Sequence, residues 1–373
     1  MLRIIVSVSN DLYTDQRVLK VCHSLTEAGY SVLLVGRCYN DSPVLPELPF
    51  ATKRLALFFR RGVFFYAEWH VRLFLFLLFQ KVDGLHSNDL DTLLPTYWMS
   101  KIKKKPLVYD THEYFTGVPE IQHKKMVKKV WVTIENYIFP RLKWVFTVND
   151  SIAHLYATQF QQSLQVVRNI PTQKQVIASI SKQELQLPAH KNIIILQGNG
   201  INVQRGAEEA VLSMQFVPDA LLVIIGDGDV IASLQQLTES YHLQDKILFL
   251  PRLPYTTMMQ YTQVADIGLS LDKSTNINYQ YSLPNKLFDY IKAGIALVIS
   301  DLIEPRRIIE QYKVGIVISK HTPESIAESI NTLLGNPELL QEYKKNSLAA
   351  AKELYWEKEI QKMITTYTSI FIK

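Results

Sequence analysis

The sequence predicts an α/β protein built from two doubly wound, Rossmann-like domains. Three observations predict it. Short apolar runs of strand type alternate with amphipathic helical stretches; the alternation closes near residue 170 and begins afresh at residue 192; and 373 residues exceed what one ordinary core supports. An apolar share of 47% with a charged share of 20% fits a globular chain with a water-exposed surface.

In the first half, strand-like runs fall at residues 4–8, 32–35, 84–86, 107–109 and 145–148. A helical stretch spans about residues 15–28, an aromatic segment covers 57–79, and another helix begins at Asp91. Residues 166–171 close this half, and a Gln/Lys/Ser-rich connector runs to about His190. In the second half, strands are predicted at 192–196, 221–225, 247–250, 267–270, 296–300 and 315–318, with helices between. Beyond Thr322 the pattern is mainly helical and ends in an amphipathic helix over about 356–371. The expected domains are therefore residues 1–170 and 171–355, with 356–373 as a closing helix. Sheets of this kind bind ligands at the carboxyl ends of their strands, so the expected cleft lies there. Neither half carries a GxGxxG fingerprint.

The net charge of +5 conceals an asymmetry. Residues 1–180 hold 22 Lys and Arg against 14 Asp and Glu, and the remainder hold 18 against 21. A basic N-terminal half implies an anionic partner. No aromatic RNA-binding signature or zinc-finger spacing accompanies it, which argues against nucleic acid. Cys22 and Cys38 are too few for a disulfide framework or a metal site, so a reducing, cytoplasmic compartment is expected. The apolar run at residues 3–8 is too short for the usual signal-peptide layout, and residues 57–79 are interrupted by Arg60, Arg61, Glu68, His70 and Arg72. A bilayer span needs about 20 apolar residues, so no transmembrane helix is expected.

Residues 282–294, Ser282-Leu283-Pro284-Asn285-Lys286 through Asp289 to Gly294, carry the most chemistry. Ser282 is placed to cap a helix, Pro284 suits its first turn and Gly294 its end. The N-terminus of that helix, beside Lys286, is suited to hold a phosphate. Asp289, three residues on, lies on the same side and offers two acceptor oxygens to a pair of vicinal ribose hydroxyls. A nucleotide site follows. Gly198-Asn199-Gly200 and Gly226-Asp227-Gly228 each follow a strand; either is explained by a tight turn, and together they favour close approach to a phosphate. Asp110, His112 and Glu113 cluster at another strand end. Burial in the core is the alternative for His112, turn capping for Glu113, and helix capping for one of Asp11 and Asp15.

With these pieces in order the sequence resembles the GT-B glycosyltransferases of family 4, the group 1 transferases of bacterial envelope polysaccharide synthesis. The resemblance covers nearly the whole chain. It rests on residues 10–20 with Asp11 and Asp15, on His86-Ser-Asn-Asp-Leu-Asp91, on Tyr109-Asp-Thr-His-Glu113, on residues 197–206, on 226–228, on 282–294, and on the closing helix with Trp356. It implies a retaining, hexosyltransferase-type enzyme without a bound metal or other cofactor, moving a sugar from a UDP- or GDP-sugar to a glycan or lipid-linked acceptor. His112 would lie beside the transferred sugar, and Arg205 and Lys286 would stabilise the departing diphosphate. Gly198, Asn199, Gly200, Gly226, Asp227, Tyr281, Ser282, Leu283, Pro284, Asn285 and Asp289 would line the donor site. Asp11, Asp15, Asp110 and Glu113 would meet the acceptor. Tyr281 replaces the first of the family's paired glutamates, Asp289 the second, and Asn199 stands where many members have arginine. A nucleotide-sugar epimerase on the same scaffold, or a donor-binding subunit with impaired catalysis, is the alternative.

A further expectation concerns a membrane. Phe58, Phe59, Arg60, Arg61, Phe64 and Phe65 mix large apolar groups with two cations, and Lys101, Lys103–Lys105, Lys124, Lys125, Lys128 and Lys129 add charge. Docking on an anionic surface, peripheral to the inner face of the plasma membrane, is expected through the Phe58–Phe65 segment, with residues 73–79 left inside.

Overall fold

The computed structural model describes residues 1–13, 15–175 and 177–371. Two compact units emerge, Met1–Asn169 with Glu359–Lys373, and Ile170–Lys358. The chain opens with β1 (Arg3–Asp11), α1 (Gln16–Glu27), β2 (Ser31–Cys38), β3 (Ala51–Ala56), α2 (Gly62–Leu78), β4 (Gly84–Asn88) and α3 (Leu90–Lys103). It continues through β5 (Leu107–Thr111), α4 (Pro119–Gln122), α5 (Lys125–Ile138), β6 (Trp144–Thr147), α6 (Asp150–Phe160) and β7 (Gln165–Val166).

The seven strands form one parallel sheet in the order β3-β2-β1-β4-β5-β6-β7. Its central strands are buried on both faces, which is why Ile4, Ile5 and Val6 follow one another without polar alternation. Asp15 caps α1 by accepting from the Val18 N–H, and Asn149 caps α6 through the Ile152 N–H. β4 is buried yet carries His86, Ser87 and Asn88, each with a partner. His86 Nδ1 meets the Tyr367 hydroxyl at 2.8 Å, Ser87 pairs with Thr92, and Asn88 donates to the Ser7 carbonyl. Burial pushes the His86 imidazole down to about 4, so it is neutral.

β3 is absent from the sequence expectation. It is an edge strand, Ala-Thr-Lys-Arg-Leu-Ala, with exposed residues and charges that mark an edge but no apolar run that marks a core. α2 also departs from expectation. Only the stripe Phe65, Trp69, Leu73 and Leu77 is buried, whereas Leu75, Leu78 and Phe79 are exposed. Residues 73–79 are therefore not all inside, because α2 packs one face inward beside α3 and leaves the other to solvent. Among the described residues no helix is long and apolar enough to cross a membrane.

The second unit follows with β8 (Asn192–Gly198), α7 (Ala207–Ser213), β9 (Ala220–Gly226), α8 (Ile231–Ser240), β10 (Ile247–Leu250), α9 (Tyr255–Val264) and β11 (Ile267–Ser270). Next come α10 (Ile277–Gln280), α11 (Asn285–Ala293), β12 (Ala296–Ile299), α12 (Ile303–Tyr312), β13 (Gly315–Val317), α13 (Pro323–Leu334), α14 (Pro337–Ala351) and α15 (Trp356–Glu359). Six parallel strands are ordered β10-β9-β8-β11-β12-β13. An apolar cluster covers each face of this sheet, one centred on Ile194, Leu222 and Val298, the other on Ile195, Val223 and Leu297.

The last helix, α16 (Gln361–Phe371), belongs to the first unit. Tyr367 reaches His86 from it, and Phe371 presses on the start of β4. A Cβ at Gly84 would lie 2.7 Å from Phe371 Cζ and 3.0 Å from Ile4 Cδ1. Gly84→Val should therefore lower stability by about 1–3 kcal/mol, the usual cost of overpacking. Urea unfolding checks this, and an unchanged midpoint would show that α16 does not pack there.

Candidate active site

In the second unit the loops after β8, β9 and β11 converge with the start of α11. Gly226 has φ +141°, and a Cβ there would come within 1.7 Å of the Gly198 carbonyl oxygen. A Cβ at Gly228 would strike the Ile201 backbone, and Ile201 N–H donates to the Asp227 carbonyl at 3.0 Å. These two glycines are thus required by loop-on-loop packing. The Asp227 side chain turns onto the Gly228 N–H at 2.8 Å. Gly198 and Gly200 differ: a Cβ at either would meet nothing nearer than 3.7 Å, so the space beside them is open. Asn199 between them is exposed.

Gly206 has φ +74° and abuts the Leu271 carbonyl, which fixes where Arg205 leaves the loop. The Arg205 guanidinium donates to Asp272 Oδ2 at 2.8 Å and lies 4.3 Å from the centre of the Tyr279 ring. Lys286 Nζ is 4.0 Å from the other oxygen of Asp272. Asp272 is fully buried, two residues past the end of β11, and its Oδ1 has no hydrogen-bond partner among the described residues. Two cations therefore share one carboxylate. Burial and the neighbouring Arg205 push the Lys286 ammonium down, while Asp272 opposes the shift. Burial also works against the charge on Arg205, and Asp272 with Tyr279 more than restores it.

Ser282 does not cap α11. Its hydroxyl donates to the Tyr279 carbonyl at 2.9 Å and closes the turn after α10, while Pro284 occupies the cap position with extended backbone. No side chain caps α11, so its N-terminal N–H groups are left without a side-chain partner, and Lys286 lies in that same first turn. Leu283 packs on the apolar cluster beneath, Asn285 is exposed and Tyr281 half-buried. Asp289 is buried: its Oδ1 accepts from the Tyr255 hydroxyl at 2.8 Å and its Oδ2 from the Gln197 amide at 3.4 Å. Burial and Asp289 push the Tyr255 hydroxyl far up, so it stays protonated and donates. Asp272, Tyr255 and Tyr279 are not singled out by the sequence, and Gln197 opens the 197–206 motif without a role of its own. For Asp272 the available signal was an acid just past a buried strand.

In the first unit the corresponding strand ends hold a charge cluster around His112. Asp89 Oδ2 lies 3.1 Å from His112 Nδ1, and Asp89 Oδ1 accepts the His112 backbone N–H at 2.8 Å. Asp89 adopts φ 57° and ψ 169°, a region nearly reserved for glycine, at a strain of about 1–3 kcal/mol. Asp110 is fully buried and accepts twice from Arg17, at 3.0 and 2.8 Å, while Arg17 also donates to the Val167 carbonyl. Asp110 therefore does not face an acceptor, contrary to expectation: a buried arginine has taken its carboxylate. It lies 3.6 Å from His112 Nε2, an ion-pair distance that leaves Nε2 without a hydrogen bond among the described residues. Burial opposes charge on His112, but Asp89 and Asp110 overcome it and raise the imidazole well above its ordinary range. Burial would likewise raise Asp110, but Arg17 and His112 hold its carboxyl well below the usual range.

Asp15 is used in capping, and Asp11 pairs with Arg54 at 2.5 Å and with Ser42. Glu113 is exposed just beyond Thr111, whose hydroxyl donates to the Glu113 carbonyl. Of the membrane candidates, Phe58, Phe59 and Phe64 are exposed and Arg61 lies on the surface. Phe65 is buried on the inner stripe of α2, which removes it from any contact surface. Arg60 is exposed but engaged in a two-point ion pair with Asp41. Among the described residues no group of three or more His, Cys, Asp or Glu could hold a metal ion.

Residues 179–349 match the family model described as glycosyl transferases group 1. No curated protein matches the chain. Solved structures match over its whole length. Sucrose-phosphate synthase from Thermosynechococcus elongatus superposes with a TM-score of 0.82 at 16% identity, covering 100% of this chain and 99% of that one. WaaG, a glycosyltransferase involved in lipopolysaccharide biosynthesis, gives 0.76 at 14% identity, with 99% and 100% covered. HepE from Anabaena, solved with UDP and glucose, gives 0.76 at 13%, again with 99% and 100% covered. The fold is GT-B, and the group 1 glycosyltransferase match falls on residues 179–349.

The His112 cluster has a pH signature. Its folded-state pKa is raised, so its contribution to stability is complete below about pH 6.5, where the unfolded histidine is also protonated, and is lost as pH rises through the folded value. Nuclear magnetic resonance of labelled histidine should show the His112 imidazolium persisting above pH 6.5, with Asp89→Asn lowering its midpoint. A wild-type midpoint at or below the ordinary value would contradict the clamp.

Proposed function

We propose, from a chain whose residues 179–349 carry a group 1 glycosyltransferase domain, that it transfers a sugar from a UDP- or GDP-sugar to a glycan or lipid-linked acceptor in envelope polysaccharide synthesis, with retention of anomeric configuration. The observation that carries this is the uncapped start of α11, with Lys286 on it and Arg205 held beside Asp272. In the reaction the anomeric carbon exchanges its bond to the diphosphate for one to an acceptor oxygen. Negative charge gathers on the leaving diphosphate, and preformed N–H groups and cations stabilise it without reorganisation. Arg205 and Lys286 carry that charge in this reading, without a bound metal or other cofactor. UDP in the HepE structure supports a nucleotide donor. In this reading Asp289, now accepting from Tyr255 and Gln197, accepts from ribose hydroxyls, and His112, held between Asp89 and Asp110, meets a sugar or acceptor hydroxyl.

Removing Arg205 or Lys286 should lower kcat more than donor affinity, because charge develops in the transition state. One lost donor of this kind costs about 2.7–4 kcal/mol, or roughly a hundred- to a thousandfold in kcat. Steady-state kinetics of Arg205→Gln at saturating donor tests it, and wild-type turnover would refute the role. Asp289→Asn should chiefly raise the donor KM with the fold intact; an unchanged KM would remove the ribose assignment. Release of free nucleoside diphosphate separates an enzyme from a binding subunit, and conversion of the donor without acceptor would favour an epimerase.

The same reading places the enzyme in the cytoplasm, peripheral to the inner face of the membrane. Support comes from a strip of exposed apolar residues, Phe58, Phe59 and Phe64 at the start of α2 and Val71, Leu75 and Phe79 further along, interrupted by the Glu68–Arg72 ion pair and accompanied by exposed Arg61. Vesicle flotation should favour anionic over neutral lipid at low salt, and Phe64→Asp with Leu75→Asp should abolish it. Equal recovery of the variant would leave the strip without a lipid partner.

A further inference from the structure

A second basic feature of the first unit lies at the amino ends of its strands, opposite the carboxyl end that carries His112. A cavity of about 180 Å³ opens at the amino ends of β5 and β6, lined among others by Tyr97, Lys101, Lys105, Arg141, Lys143 and Trp144. β5 starts at Leu107 and ends at Thr111, just before His112, so the strand separates the cavity from the His112 cluster by roughly 3.3 Å per residue.

Four cations surround this cavity, and their partners are unusual. Among the described residues only Lys105 has a carboxylate neighbour, Asp83 at 3.3 Å. The others rest on aromatic faces: Lys101 lies 5.2 Å from the Tyr97 ring centre, Lys143 5.0 Å from Trp144, and Arg141 4.5 Å from Tyr137. Such contacts leave the formal charge uncancelled. Basic residues at a helix C-terminus offset its dipole, which explains Lys101 and Lys103 at the end of α3. Lys103 is further explained by its bonds to the Leu78 and Gln80 carbonyls, both at 2.9 Å. Arg141 is explained in the same way, since its guanidinium donates to the Tyr137 carbonyl in the last turn of α5, but neither explanation reaches Lys143, in the connection between α5 and β6. Like charges converging on a concave surface focus a positive potential that an anion relieves. Arginine and lysine together, with aromatic walls, suit a compact, multiply charged anion.

We propose that this cavity binds a phosphoryl group, as a phosphomonoester or diphosphate, at a site separate from the strand-end residues of this unit. The group is carried either by a soluble phosphoester or by a lipid head group, and exposed Trp98 and Ile102, one turn apart on α3, lie beside Tyr97 and Lys101 in the sequence of that helix.

The test uses the full chain and pyrophosphate as probe in isothermal titration calorimetry, with wild type, a Lys101→Gln/Arg141→Gln/Lys143→Gln variant and Lys286→Gln. The triple variant should lose one site or bind there on the order of a hundredfold more weakly, at roughly fivefold per cation. Lys286→Gln should keep that site. Lys143→Glu alone serves as a second variant, with an unfolding midpoint measured for each. In a parallel arm, phosphatidylcholine vesicles with and without phosphatidic acid are sedimented with each protein. Retention of wild type by phosphatidic acid alone, reversed by pyrophosphate and absent from the variants, assigns the lipid source. Pyrophosphate binding without vesicle retention assigns the soluble one. Variants that match wild type in both arms overturn the proposal.

Discussion

The buried carboxylate of Asp272 is the interaction on which the second unit's site depends. A lone carboxylate without solvent costs several kcal/mol, and Asp272 is tolerated because Arg205 bonds one oxygen and Lys286 stands near the other. The arrangement works in both directions. Asp272 holds two long cationic side chains in place, where free ones would lose rotamer entropy on binding an anion. It also leaves one positive charge in excess, so that surplus remains available at the uncapped start of α11. The loop glycines serve the same end: Gly206 against Leu271, and Gly226 against Gly198, bring the three loops close together, and Asp272 from one of them meets Arg205 from another and Lys286 from α11.

The first unit solves a similar problem with the signs exchanged. His112 lies between Asp89 and Asp110, and Asp110 is itself held by Arg17, so an imidazolium is kept charged in a site that would otherwise expel it. The strained backbone of Asp89 is the cost of aiming both its oxygens at His112. Nearby, Asp91 bonds Ser9 and is pushed up to about 7 by burial and by Asp89, so like charge next to the clamp is limited.

Much of this fold was legible in the chain because both sheets are parallel and covered on both faces, so their strands read as continuous apolar runs such as residues 193–196 and 296–299. The edge strand β3 carried no such signal. At the site, the start of α11 with Lys286 on it could be read because helix ends obey local rules. Asp272, Arg17 and Asp89 could not, since their meaning lies in partners 67, 93 and 23 residues away. Asp110 illustrates the limit: an acid at a strand end invites a substrate role until the arginine that occupies it is seen. Ser282 does the same for capping, its hydroxyl being taken by the preceding turn.

The account rests on where a nucleoside diphosphate binds, and a crystal structure with bound UDP or GDP tests that most directly. The phosphates should accept from the backbone N–H groups at the start of α11 and lie within ion-pair distance of Arg205 and Lys286, with a ribose hydroxyl on Asp289. Phosphates bound away from both cations, or a ribose beyond reach of Asp289, would contradict it.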